Sequence, residues 1–246
     1  KSLGPLIHNP QVVAELAKRG ISVVNNASEV QSGTVIIRSH GVCPDERETL
    51  EKANLEIVDA TCPYVLRAQK AGAQLSRQHG AVAVVGDPDH PEVEAICAYA
   101  RQAGGNVWTI DSADRIPKDL PRKIGVVVQT TQNREVFEAI LVRLAEHGIE
   151  VDVKDTICEA TAKRQSAARE LAASVDAMVV IGGHNSSNTT RLYEICKGIC
   201  PHTYHIESLE ELDPTAFDGC TIVGITAGAS TPENQIVAVE SYLERL

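Results

Sequence analysis

Asp59-Ala60-Thr61-Cys62 recurs 96 residues later as Asp155-Thr156-Ile157-Cys158, and this repetition decides the predicted fold. Each copy is followed, seven residues after its cysteine, by a glutamine, Gln69 or Gln165. Because self-similarity at a fixed interval marks one structural unit per copy, the sequence predicts similar units in tandem. The shared residues are a thiol and small polar groups rather than core residues, which indicates a common site.

The polar residues that follow the cysteines repeat with the same spacing. His90 and Ser186 each lie 28 residues after the repeated cysteine of their copy. A third set of polar residues, His8-Asn9-Pro10, lies upstream, and the same logic predicts a cysteine about 28 residues before His8. That position would precede residue 1, so we expect the sequence to begin inside the first of three units.

Composition limits the possible partners. The chain has 246 residues and a net charge of −10, which argues against nucleic acid or an anionic membrane as a partner. No apolar run approaches the length of a membrane span. The seven cysteines are an odd number in a chain of this length, which is typical of a protein that uses thiols for metal or redox chemistry. We therefore expect a cytoplasmic protein.

Short β-rich segments alternate along the chain with amphipathic helical segments. This alternation predicts an α/β fold with parallel sheets built from βαβ units. The repeat divides it into three similar α/β units, at residues 1–62, 63–157 and 158–246, with a C-terminal helix in the third.

Polar motifs follow the ends of several predicted strands, where open α/β sheets bind their ligands. Glycines in such loops and the N-termini of the helices that follow favour an anion. Serine, asparagine and histidine supply hydrogen-bond donors. Taken singly, each histidine, serine or cysteine has an ordinary structural explanation as a loop, cap or core residue. Their joint recurrence favours a phosphate or diphosphate site.

The motifs also carry a resemblance to a known family. They are His8-Asn9-Pro10, Ser39-His40-Gly41-Val42, Asp59-Ala60-Thr61-Cys62-Pro63, His90-Pro91-Glu92-Val93, Gln129-Thr130-Thr131, Asn185-Ser186-Ser187-Asn188 and Thr226-Ala227-Gly228-Ala229-Ser230. In order and spacing the chain resembles the IspH/LytB family of 4-hydroxy-3-methylbut-2-enyl diphosphate reductases. The resemblance implies three α/β units around a pseudo-threefold axis, with a central active site and a [4Fe–4S] cluster bound by three cysteines.

The resemblance also implies roles for individual residues. Cys62 and Cys158 would be cluster ligands, whereas the family's first ligand lies in a Gly-Phe-Cys segment that this sequence lacks, so the cluster could be incomplete or absent. Glu92 would be the proton source, and Thr130 would arrange the substrate hydroxyl. The implied ligands of the substrate diphosphate are His8, His40, His90, Ser186, Ser187, Asn188 and Ser230.

The residue types suit that chemistry. Thiolates bind iron–sulfur clusters, and three cysteines on four irons leave one iron open to act on the substrate hydroxyl as a Lewis acid. A ferredoxin- or flavodoxin-type partner would supply electrons. The expected products are isopentenyl and dimethylallyl diphosphate, in the non-mevalonate isoprenoid pathway.

Two other functions remain open from the sequence. One is a diphosphate-binding module without a cluster. The other is a zinc hydrolase that uses His8, His40, His90 and Glu92, although these residues lack local zinc-ligand spacing. Cys196 and Cys200 lie four residues apart on a predicted helix, but two ligands alone do not make a metal site.

Overall fold

The structure, a computed structural model, describes all residues from 1 to 246. The chain separates into two compact units. The first unit contains residues 1–7 and 16–158, and the second contains residues 8–15 and 159–246.

Eleven strands form three sheets, and neighbouring strands are parallel throughout. The strands are β1 (Ser2–Leu3), β2 (Val23–Val24), β3 (Thr34–Ile37), β4 (Glu56–Asp59), β5 (Ala81–Val85), β6 (Asn106–Ile110), β7 (Lys123–Val128), β8 (Glu150–Lys154), β9 (Ala177–Ile181), β10 (Thr203–Ile206) and β11 (Val223–Ala227). Their orders are β2-β1-β3-β4, β6-β5-β7-β8 and β10-β9-β11. Each sheet therefore places its first strand between its second and third.

The chain has eight α-helices, of which the first seven lie between strands and the last follows β11. They are α1 (Pro10–Lys18), α2 (Pro44–Lys52), α3 (Pro63–His79), α4 (Pro91–Gln102), α5 (Arg134–Glu146), α6 (Glu159–Ala172), α7 (Ser187–Lys197) and α8 (Glu233–Leu243). The first four begin with proline, whose fixed φ suits the first turn and whose missing N–H costs no helical hydrogen bond there. No helix combines the length and apolar character needed to cross a membrane.

The 96-residue repeat is also visible in the elements themselves. β5 and β9 are shifted by that interval at both ends, and each is buried along its whole length. Continuous burial is expected for the central strand of a parallel sheet whose two faces are covered. The predicted α/β class with three similar units of parallel strands is confirmed. The boundaries at residues 62 and 157 stay a prediction.

An apolar cluster packs α3 and α4 against the sheet formed by β6, β5, β7 and β8. Leu75 of α3 and Ile96 of α4 pack with Val82, Val84 and Val127 of β5 and β7, and all five side chains are fully buried. Burying side chains of this size contributes about 1.5–3 kcal/mol each. The packing holds α3 and α4 in place, and with them the loops that precede their first turns.

Candidate active site

The repeated aspartates form the turns that lead to the two repeated cysteines. Asp59 Oδ1 accepts a hydrogen bond from the Thr61 N–H at 3.0 Å, and Asp155 Oδ1 accepts one from the Ile157 N–H at 3.1 Å. A side-chain oxygen that bonds to the backbone two residues ahead is the Asx-turn geometry. The repeat at these positions therefore reflects one local structure used twice.

An arginine secures each of these turns, and the sequence did not reveal it. Arg47 Nη1 lies 2.7 Å from Asp59 Oδ2, and Arg134 Nη1 lies 2.6 Å from Asp155 Oδ2. The two arginines are 87 rather than 96 residues apart, so the repeat interval does not connect them. The sequence does show an aspartate at the end of β4 and another directly after β8. Which arginine pairs with each of them depends on how the helices pack.

Cys62 and Cys158 are half-buried free thiols, each directly before a helix. The Cys62 N–H donates to the Ser39 carbonyl at 3.0 Å, and the Cys158 N–H donates to the Thr130 carbonyl at 3.0 Å. Each cysteine is thus tied through its main chain to a loop that carries predicted site residues. This arrangement suits a pair of thiolate ligands that act together with those loops.

Three of the other cysteines are poor candidates for metal ligation. Burial raises the pKa of the Cys43 and Cys196 thiols to about 11, and it also raises the pKa of Cys97. Because the thiolate is the metal-binding form, burial opposes ligation at all three positions. Cys200 is buried, and its thiol donates to the Asp176 carbonyl at 3.6 Å.

A tight turn after β3 presents His40. Gly41 has φ +73°, and a Cβ atom there would lie 2.5 Å from the Nε2 atom of the buried Gln69. Only glycine combines this conformation with such a close approach. The repeated glutamine therefore packs beneath the turn, and the His40 ring lies 5.2 Å from the His90 ring, edge to face.

His90 caps the N-terminus of α4. Its Nδ1 atom accepts a hydrogen bond from the Glu92 N–H at 3.2 Å. Because Nδ1 is the acceptor, a neutral His90 ring carries its proton on Nε2. The cap orients the imidazole and links it to the adjacent acid.

Glu92 is completely buried and bonds twice to Thr130. The Thr130 N–H donates to Oε1 at 2.7 Å, and the Thr130 hydroxyl donates to Oε2 at 2.8 Å. Burial raises the pKa of Glu92 to about 7, although both bonds from Thr130 act in the opposite direction. The carboxyl can therefore hold and release a proton near neutral pH.

The raised pKa of Glu92 makes the stability of the protein depend on pH. The folded state binds this proton more tightly than the unfolded state, so the stabilisation is complete below pH 4.5 and is lost as pH rises through about 7. Between these limits we expect the wild type to lose about 3 kcal/mol of unfolding free energy relative to Glu92→Gln. Urea unfolding of both proteins from about pH 5 to 8 measures this difference, and a constant difference would contradict the assignment.

In the second compact unit (residues 8–15 and 159–246), three of the predicted anion ligands lie at the N-terminus of α7. Ser186 is the N-cap, and its hydroxyl accepts a hydrogen bond from the Thr189 N–H at 3.4 Å. Ser187 is half-buried at the first helical position, and Asn188 is buried at the second. The Asn188 Nδ2 atom is buried without a hydrogen-bond partner, and such a donor costs free energy unless something occupies it.

His8 and Ser230 lie beside the same loop of the second unit. The Ser230 hydroxyl donates to the His8 carbonyl at 3.2 Å. A Cβ atom at Gly183 would lie 2.7 Å from that carbonyl, so the backbone segments approach as closely as glycine permits. The structure thus groups His8, Ser186, Ser187, Asn188 and Ser230 within one unit. The other predicted site residues, His40, His90, Glu92, Thr130, Cys62 and Cys158, lie in the first unit.

The chain matches known protein sequences along nearly its whole length. The profile of the family described as LytB protein matches residues 1–244. The chain is 49% identical to 4-hydroxy-3-methylbut-2-enyl diphosphate reductase from Trichlorobacter lovleyi, over 100% of this chain and 87% of that protein. It is 48% identical to the protein of the same name from Geotalea uraniireducens, over 100% and 86%.

Two solved structures resemble this fold. A structure of (E)-4-hydroxy-3-methyl-but-2-enyl diphosphate reductase, described as the terminal enzyme of the non-mevalonate pathway, matches with 44% identity and a TM-score of 0.69, over 100% of this chain and 88% of that chain. The E-1-hydroxy-2-methyl-but-2-enyl-4-diphosphate reductase from Plasmodium falciparum matches with a TM-score of 0.90 over 98% and 77%; at 24% identity, it supports the fold alone.

The repeated parallel sheets and the paired cysteine turns define a class of α/β proteins with site residues on the loops after their strands. Within that class, the chain belongs to the LytB protein family. The family expected from the sequence motifs is confirmed.

Proposed function

We propose that this protein is an oxidoreductase that converts 4-hydroxy-3-methylbut-2-enyl diphosphate to isopentenyl and dimethylallyl diphosphate. The reaction consumes two electrons and two protons and releases the hydroxyl group as water. The observation that carries the proposal is the buried Glu92 carboxyl, whose pKa of about 7 suits a proton donor. The names of relatives that are 48–49% identical over the whole chain support the same reaction.

We assign Cys62 and Cys158 as ligands of a [4Fe–4S] cluster. Their half-buried free thiols and equivalent turns fit that role, whereas burial disfavours the thiolates of Cys43, Cys97 and Cys196. When bound, such a cluster supplies electrons and Lewis acidity. These are two of the three cysteine ligands that the family resemblance implies.

Glu92 supplies the proton that leaves with the substrate hydroxyl. Its carboxyl is held by two bonds from Thr130, so it cannot rotate freely, and its burial strengthens these hydrogen bonds. The Thr130 hydroxyl orients the substrate hydroxyl and water at the same carboxyl. The Thr130 carbonyl also accepts a hydrogen bond from the Cys158 N–H. Thr130 is therefore bonded both to the proposed proton donor and to the backbone of a proposed cluster ligand.

The diphosphate is bound by neutral donors and imidazoles in this proposal. The N-terminus of α7 favours an anion, and the buried Asn188 amide provides a donor that no protein group occupies. Ser186, Ser187, Ser230 and His8 are assigned to the same role. His40 and His90 of the first unit are also assigned to diphosphate binding.

The electron donor is proposed to be a protein of the ferredoxin or flavodoxin type. A cytoplasmic location is also proposed, because a chain with seven cysteines and no paired thiols suits a reducing compartment.

The test begins with protein purified without oxygen from the complete coding sequence. We expect about four irons and four sulfides per chain, a brown chromophore, and reduction of the substrate by dithionite and methyl viologen. Stoichiometric zinc and hydrolysis without a reductant would instead identify the hydrolase. Diphosphate binding that persists without iron, with no turnover, would identify the binding module.

A further inference from the structure

A groove on the first unit lies between α3 and the end of β8. Its walls include Arg67 and Lys70 on one side and Lys154 on the other. Arg67 and Lys70 are exposed, and Lys154 is half-buried. The three cations therefore face one surface of a chain whose net charge is −10.

No salt bridge pairs the three cations of this groove, Arg67, Lys70 and Lys154. The nearby acids have other partners: Asp152, whose carboxyl pKa is lowered by its hydrogen bond to His79 and in part by the charge of Lys154, lies 2.9 Å from the His79 ring, and Asp155 in the groove is bonded to Arg134 at 2.6 Å. The Arg67 guanidinium lies 5.0 Å from the centre of the Tyr64 ring, which holds it in place without reducing its charge. Unpaired cations on one surface suit a negatively charged partner.

The same groove is lined by residues that lie next to both site cysteines in the chain. Pro63 lines it and is covalently bonded to Cys62. Thr156 also lines it, two residues before Cys158, and the Thr156 side chain accepts a hydrogen bond from the Val128 N–H at 3.1 Å. Because Pro63 follows Cys62 directly and the Asp155-Thr156 turn leads to Cys158, a partner seated there would lie close to the two proposed cluster ligands.

We propose that this groove is the docking surface for a small acidic electron-transfer protein that delivers the reducing electrons. This inference rests on the proposed function, because only a reductase needs such a partner. Each docking event brings one reduced donor beside the thiol turns, and two successive events supply the two electrons of one turnover. Complementary charge accelerates such encounters against the repulsion that the overall negative charge imposes.

Charge reversal tests the docking surface. The groove variant carries Arg67→Glu, Lys70→Glu and Lys154→Glu, and the matched control reverses three exposed cations outside the groove, Arg77, Arg101 and Lys118. Both variants change the net charge equally. The probe is a reduced plant-type [2Fe–2S] ferredoxin, and calorimetry measures its Kd at low and high salt.

We expect the groove variant to bind the ferredoxin at least ten-fold more weakly at low salt, on the order expected for losing several complementary charges. The Kd of the control should stay within about three-fold of the wild-type value. The difference in Kd between the two variants should disappear near 0.5 M salt, because charges are screened there. Equal affinities in the groove variant and the control would overturn the proposal.

A second measurement separates this inference from the proposed function. With dithionite and methyl viologen, which need no protein docking surface, the groove variant should retain the turnover of the wild type, whereas its kcat/KM for ferredoxin falls at least ten-fold. Wild-type protein that shows no turnover with the small reductant would refute the reductase itself. A ferredoxin kcat/KM equal to that of the control would refute only the docking surface.

Discussion

Replacing Glu92 by glutamine is expected to lower turnover about 100- to 10,000-fold, the range typical for loss of a general acid. Glutamine keeps the shape of the side chain and an oxygen that can accept the Thr130 N–H, so the fold should survive. Substrate affinity should change only a few-fold, because the proton is transferred during the reaction rather than on binding. Steady-state kinetics with dithionite and methyl viologen measure both quantities.

Glu94→Gln is the matched control for this substitution. Glu94 lies two residues away in the first turn of α4 but is exposed, so its loss should leave turnover within about two-fold. In the wild type, turnover should fall as pH rises through about 7, since the carboxyl then loses its proton. A Glu92→Gln enzyme with normal turnover would show that the proton comes from another group.

Replacing Cys62 or Cys158 by serine is expected to abolish turnover and the brown chromophore. Serine is a poor ligand for iron–sulfur clusters, because these clusters are held by thiolates. Iron should fall from about four atoms per chain to less than about one. Colorimetric iron and sulfide assays and the visible spectrum of anaerobically purified protein measure the loss.

Cys97→Ser and Cys196→Ser provide the comparison. Both cysteines are buried in apolar clusters, so these changes should lower stability by about 1–3 kcal/mol and leave the iron content unchanged. Loss of iron in these variants, with retention in Cys62→Ser, would reverse the ligand assignment.

The sequence was sufficient to predict the elements whose signal is local. The predicted strands Ala81–Val85 and Met178–Ile181 are apolar, end 96 residues apart and are each followed by glycine, and both lie in buried strands of the structure. The repeat of Asp59–Cys62 at Asp155–Cys158 was also visible in the sequence, which predicted a shared site there but not the aspartate turns or their arginine partners.

Features that depend on tertiary contacts were not readable. Ser2–Leu3 is a strand of only two residues that becomes central because β2 and β3 pair with it on either side. The contact between Glu92 and Thr130 joins residues 38 positions apart and was implied only by the family resemblance, and the burial that shifts the pKa of Glu92 comes from the packed fold. The resemblance suggested a proton source, but its environment required the fold.

The cap formed by His90 has a consequence for inhibitor design. Because the Glu92 N–H occupies Nδ1, the uncharged ring keeps its hydrogen on Nε2 and can donate it to an oxygen without first becoming a cation. Compounds that present an acceptor to this ring would therefore match its neutral tautomer. Compounds that present a donor would meet the wrong tautomer at the same atom.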